Sequence, residues 1–260
     1  MLKIIGYVIK DLLRNRWTLF YFLFYLLVGF AILIFSGDFS KSMVSFLQII
    51  LILTPLIGTL FGVMYYYNSR DFIELLLAQP IRRRDVFIGQ WLGVSISLGT
   101  SLVLGLGIPF LWYFAQYEVA GDQFVLLLLL GFALGTIFTG LSMAVSVSTD
   151  NKIRGFGYAL VLWLLMAVVY DGFLLLALIA FRDYPLEKFA LIATMFNPID
   201  LARITILLKL DISALMGYTG AVFREFLGST LGMITASFVL MLWVLLPFAL
   251  ITFIAKKRDF

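Results

Sequence analysis

The sequence predicts an all-α integral membrane protein with six transmembrane helices and both termini in the cytoplasm, and three observations carry that expectation. Of its 260 residues, 63% are hydrophobic and 13% charged, with a mean hydropathy of +1.06. A soluble domain is about 45–50% apolar and about 25% charged. Too little polar surface remains to wrap a water-soluble globule, which excludes a soluble enzyme. Six apolar runs lie at 17–35, 43–67, 91–116, 123–147, 156–181 and 231–255, and all but the fifth lack an acidic or basic side chain. Each matches the roughly 20 residues that a helix needs to cross a hydrocarbon core of about 30 Å. Finally, 13 of the 19 Lys and Arg residues fall in segments that six spans place on the side of the two termini. Positive charge accumulates on the cytoplasmic side of short loops, so that side is assigned to the cytoplasm.

Taken in chain order, residues 1–16 form a basic amphipathic helix. Leu2, Ile5, Ile9, Leu12 and Leu13 share one face at helical spacing, and Lys3, Lys10, Asp11 and Arg14 share the other. Such a helix belongs in the cytoplasmic headgroup layer, as an anchor or as a docking surface built on Lys10, Arg14 and Arg16. The first span continues into Ser36-Gly37-Asp38 without a small-residue cleavage site, so it is retained rather than removed as a signal peptide.

The cytoplasmic loop 68–90 carries a short amphipathic stripe of Phe72, Leu75 and Leu76, extended by Gln79, and ends in Pro80 and the basic run Arg82 to Arg84. A plain connector would be polar and rich in turn residues. The stripe, together with Glu74, predicts a contact with a partner.

Within the spans, small residues recur every fourth position: Gly93, Ser97, Ser101 and Gly105 in the third, Gly131, Gly135 and Thr139 in the fourth, Gly228, Gly232 and Ala236 at the sixth. In lipid such rows let helix backbones approach closely. Pro55, Pro109 and Pro247 are expected to kink their helices. Asp171 is the one acid inside a span, where an ionised carboxylate costs roughly 2.5–3.5 kcal/mol on insertion scales. It therefore needs a proton or a donor facing the bundle interior, and serves as a substrate- or proton-linked group or as a polar staple. Trp163 and Tyr170 lie close to it in helical register. The outer segment 182–230 mixes charge with apolar stretches too short to span, and Asn197-Pro198-Ile199-Asp200 is a helix start with Pro near the first position. These stretches are expected to dip into or lie on the outer leaflet.

With no Cys and no His, the chain lacks thiol nucleophiles, imidazole bases and the usual transition-metal ligands. A lone intramembrane acid is too little for an intramembrane enzyme. The basic clusters abut membrane helices and are explained by topology, which leaves no need for a nucleic-acid partner. A Gly-x-x-x-x-Gly-Lys-Ser/Thr phosphate loop is absent as well.

The order of a basic N-terminal helix, six spans and an amphipathic loop helix after span two resembles the permease subunits of type-2 ATP-binding-cassette exporters. Lys10-Asp11-Leu12-Leu13-Arg14-Asn15-Arg16-Trp17 is similar to that family's approach to the first span. Residues Glu74 to Arg83 are similar to its coupling helix, with Pro80 and Arg83 in a Pro-x-x-Arg element. Asn197-Pro198-Ile199-Asp200-Leu201-Ala202-Arg203 and the acid in span five look most like the NosY-like branch, which serves maturation of nitrous oxide reductase. Asp71-Phe72 stands where the family often has Gly-Thr, and Gly89-Gln90 where it often has Gly-Lys; gliding-associated, drug and lipid exporters share the architecture.

The resemblance implies one permease domain over 1–260 in the bacterial inner membrane, paired as a homodimer and bound to two cytoplasmic ATPase subunits. Those subunits would hold ATP and Mg, with no cofactor in this chain. Phe72, Glu74, Leu75, Leu76, Pro80, Arg82 and Arg83 would couple to the ATPase. Asn197, Pro198, Asp200 and Arg203 would meet a periplasmic partner, and the cargo would be a sulfur or copper-related species. A membrane scaffold for outer assembly partners is the alternative from another functional class.

Overall fold

The computed structural model describes residues 1–117, 121–181, 187–210 and 230–257, and every regular element among them is a helix. In chain order these are α1 (Leu2–Arg14), α2 (Arg16–Ser36), α3 (Phe39–Asn68), α4 (Arg70–Leu77), α5 (Arg83–Phe114), α6 (Gly121–Ser148), α7 (Lys152–Leu164), a π-helical turn (Leu165–Val169), α8 (Tyr170–Ala180), α9 (Glu187–Met195), α10 (Pro198–Lys209) and α11 (Thr230–Lys257). Six spans have the length and apolarity to cross a membrane: α2, α3, α5, α6, the continuous α7–α8 rod and α11. The outer-segment residues 182–186 and 211–229, with Gly228, lie outside the described residues.

Local chemistry sets the breaks. Asn15 is extended and its side-chain oxygen accepts the Trp17 backbone N–H at 3.0 Å, which ends α1 and caps α2 with a one-residue joint. Gly37 closes α2 at φ +63°, and Asp38 caps α3 through Ser40 N–H at 2.8 Å.

The core is built on close crossings. A Cβ on Gly62 of α3 would lie 2.7 Å from the Thr139 carbonyl oxygen of α6, and one on Gly58 would lie 2.9 Å from the Gly135 carbonyl oxygen. The predicted small-residue rows of α5 and α6 therefore sit at helix contacts: Gly93 receives Val8, Gly105 receives Tyr25, and Gly131 receives Ile50. Two of the prolines fill glycine notches, Pro109 against Gly29 and Pro247 against Gly140. Two hydrogen bonds join the helices across these crossings: the Tyr25 and Thr54 hydroxyls lie 2.8 Å apart, and Trp91 Nε1 donates to the Thr136 carbonyl at 2.9 Å. Trp91→Phe should lower stability by about 2–3 kcal/mol, measured by unfolding in mixed micelles, because it removes a buried hydrogen bond and leaves a cavity where the larger indole was packed.

Two expectations are revised. The third span begins at Arg83 rather than at 91, so segment 68–90 is α4, a turn at 78–82, and the first two turns of α5. The N-terminal helix directs Ile4, Val8 and Leu12 into the protein, not into lipid. Gly89 and Gly93 leave a groove on α5 that seats the branched side chains of Ile4 and Val8. Leu2 and Leu13, expected on the buried face, are exposed.

Candidate functional site

The face that carries α1 also carries α4. Ile73 is the residue α4 buries, at 1% exposure, and it is absent from the stripe predicted from sequence. Phe72 stacks on Tyr7 of α1 with ring centroids 4.8 Å apart and planes 25° from parallel. Leu76 is half-buried, whereas Leu75 is 59% exposed and surrounded in sequence by exposed Asp71, Glu74, Gln79 and Pro80. Arg70 fixes the register of α4. Its Nε lies 3.2 Å from Glu74 Oε1, and Nη2 lies 3.8 Å from Asp150 in the turn between α6 and α7. Arg82 is at the N-cap of α5 and Arg83 begins that helix, both exposed. Leu75 is thus presented on a short helix beside exposed acidic residues.

The second cluster lies where α9 meets α10. Helices α9 and α10 form a hairpin bent by 114°. Asn197 sits at its corner, where the side-chain oxygen accepts Ile199 N–H at 3.1 Å and Pro198 occupies the first turn of α10. The amide nitrogen of Asn197 donates to the Met166 carbonyl at 2.8 Å and to Asp200 Oδ2 at 2.9 Å. Trp243 Nε1 donates to the Met195 carbonyl at 3.0 Å, and the Tyr170 hydroxyl donates to the Ala193 carbonyl at 2.6 Å. Met166 and Trp243 both lie near the middle of their spans, so the corner reaches the centre of the apolar slab.

Asp171 finds its counter-ion here. Arg203 Nη1 donates to Asp171 Oδ2 at 2.6 Å and lies 3.1 Å from Asp200 Oδ1, an ion pair without hydrogen-bond alignment. Asp200 is buried, while the Asp171 and Arg203 side chains are 32% and 35% exposed. One guanidinium thus faces two carboxyl groups, and its charge offsets that of Asp171, the acid inside the span. The π-helical turn helps to aim Asp171: Tyr170 N–H reaches back five residues to the Leu165 carbonyl. The extra residue in that turn rotates α8 by about 100° relative to an uninterrupted α-helix.

Of the residues expected near Asp171, Tyr170 bonds the hairpin backbone and Trp163 Nε1 has no partner among the described residues. The sequence did not point to Arg203 as the partner. The usable signal was a base inside a short apolar segment opposite a lone intramembrane acid. Asn197, Pro198 and Asp200 are buried within the chain, with Asn197 bonded to the π-helical turn at Met166. Among the described residues no three carboxylate, imidazole or thiolate groups converge as a metal site requires.

Comparison with known proteins agrees with this architecture. Residues 43–260 match the model of the ABC-2 family transporter proteins. The chain is similar to the probable ABC transporter permease protein NosY of Pseudomonas aeruginosa, 26% identical over 226 residues covering 80% of this chain and 82% of that one. It is also similar to the probable ABC transporter permease protein NosY of Stutzerimonas stutzeri, 26% identical over 253 residues, covering 87% and 83% respectively. With a family match that runs from α3 to the last residue and a body of six apolar spans, the chain belongs to the ABC-2 transporter family and is a multi-pass membrane permease.

Proposed function

We propose that this permease is the membrane half of an ATP-driven exporter whose ATPase is a separate chain docking on α4. The observation that supports this most directly is Leu75, exposed on a short helix held in place by Ile73 beneath it and by Arg70 at its side. Glu74, Arg82 and Arg83 supply the polar rim of that contact, and Pro80 the apolar corner of the turn that follows α4. Closure of two ATPase subunits on ATP and Mg would push α4 of each protomer in a homodimer, and α4 bears on α1, α3 and α5 as a rigid-body input. In this arrangement both termini are cytoplasmic, the protein sits in the inner membrane, and the α9–α10 hairpin lies on the outer side. The two similar permeases carry NosY names, which supports maturation of nitrous oxide reductase as the process served, with a sulfur or copper-related cargo.

The test is copurification of the ATPase with a Leu75→Glu variant, alongside ATP hydrolysis in vesicles. Placing a charge at the centre of the contact should weaken association at least about tenfold, with insertion unchanged. Wild-type association and hydrolysis in Leu75→Glu would remove the docking assignment. A periplasmic partner would contact residues other than the inward-facing Asn197 and Asp200, or would have to draw them out.

A further inference from the structure

We propose that α1 is an anionic-lipid sensor whose occupancy is passed to α4 through the Tyr7–Phe72 stack. Successive residues advance about 100° around the circumference of α1. Ile4, Val8 and Leu12 occupy the arc that faces α5 and are buried. Moving round the helix away from them, Ile5 and Ile9 are half-buried, and then Leu2 and Leu13 stand out at 82% and 60% exposure. Next comes a strip about 40° wide holding Lys10, Lys3 and Arg14, all exposed and none in an ion pair among the described residues. Tyr7 comes after the strip, against Phe72 of α4, and then Asp11.

This order fits a membrane surface better than a protein. An apolar fringe of Leu2 and Leu13 beside a strip of long cationic side chains places methyl groups toward acyl chains and charge at the headgroups. The one-residue joint at Asn15 holds α1 beside the exposed Trp17 and Arg16 at the start of α2, which fixes α1 at the membrane boundary. Because the main apolar stripe is already spent on α5, little hydrophobic insertion remains. The attraction is therefore chiefly electrostatic, directed at phosphate-bearing anionic lipids, and sensitive to salt. Lipid bound along the strip lies next to Tyr7, so it sets the position of Phe72 and with it α4. The relay depends on helix contacts alone and holds whatever protein docks on α4.

Hydrogen exchange of the full chain in lipid nanodiscs tests it. In discs containing phosphatidylglycerol, amides of 2–14 and 70–77 should exchange at least roughly tenfold more slowly than in pure phosphatidylcholine, as three cations near an anionic surface require. High salt, or the triple variant Lys3→Gln/Lys10→Gln/Arg14→Gln, should abolish the difference. Tyr7→Ala should keep the slowing in 2–14 and lose it in 70–77. Equal exchange in the two lipids, or a difference that survives the triple variant, would overturn lipid binding by the strip. Slowing confined to 2–14 in the wild type would overturn the relay. Protection of 2–14 that needs an added soluble protein, and none from lipid, would assign the strip to that protein and overturn the proposal.

Discussion

Arg203→Ala should destabilise the folded chain by about 2–3 kcal/mol and loosen the α9–α10 hairpin from the α7–α8 rod. Removing one partner of a buried ion pair commonly costs about 3–5 kcal/mol, because the remaining charge stays desolvated. The smaller figure applies because the Asp171 and Arg203 side chains are each about a third exposed, which allows partial screening. Two carboxyl groups, Asp171 and Asp200, would be left without their shared cation. The double variant Asp171→Asn/Arg203→Gln should lose less than the sum of its single variants, since the Asp171–Arg203 contact is lost only once, while Asp200 loses Arg203 in both Arg203→Gln backgrounds. Equilibrium unfolding in mixed micelles measures all three; strictly additive losses would show that the pair does not act as a unit.

Gly62→Leu should be more severe, lowering stability by about 3 kcal/mol or more and depleting monodisperse protein after solubilisation. Overpacking typically costs about 1–3 kcal/mol when side chains can give way. Here the obstacle is the Thr139 carbonyl on the facing backbone, 2.7 Å from where the first new carbon would sit, so α3 and α6 must separate. Gly107→Leu provides the contrast, because nothing lies within 4 Å of that position. Size-exclusion profiles of the two variants should diverge, with Gly107→Leu close to wild type; similar profiles would mean that the α3–α6 crossing tolerates separation.

The spans were legible because length and apolarity alone decide them, and the family followed from their order with the short helix after the second. Destinations of side chains were less so. The stripe on α1 was visible as a period, but only the groove over Gly89 and Gly93 of α5, some 80 residues away in sequence, turns it toward protein instead of lipid. On α4, eight residues of pattern gave a helix but the wrong buried member, since Ile73 is selected by packing and not by spacing. Asp171 announced itself through its cost. Its partner did not, because the link to Arg203 depends on a π-helical turn and on a hairpin that folds back into the slab. Neither leaves a periodic mark in one sequence.

The return of that hairpin bears on the parity of the chain. At 12 residues, α10 covers only about 18 Å, and its end is tied to the start of α6 by Lys209 Nζ and Asp122 Oδ2 at 3.0 Å. Lys209 therefore surfaces at the face where α6 begins, the same one at which α8 ends. Counted as a crossing, the hairpin would make seven passes and reverse α11. Counted as an excursion, it leaves six, α11 runs antiparallel to the α7–α8 rod, and the last residues emerge on the side of α1. A compartment reporter inserted on either flank of 187–209 would then give one and the same answer.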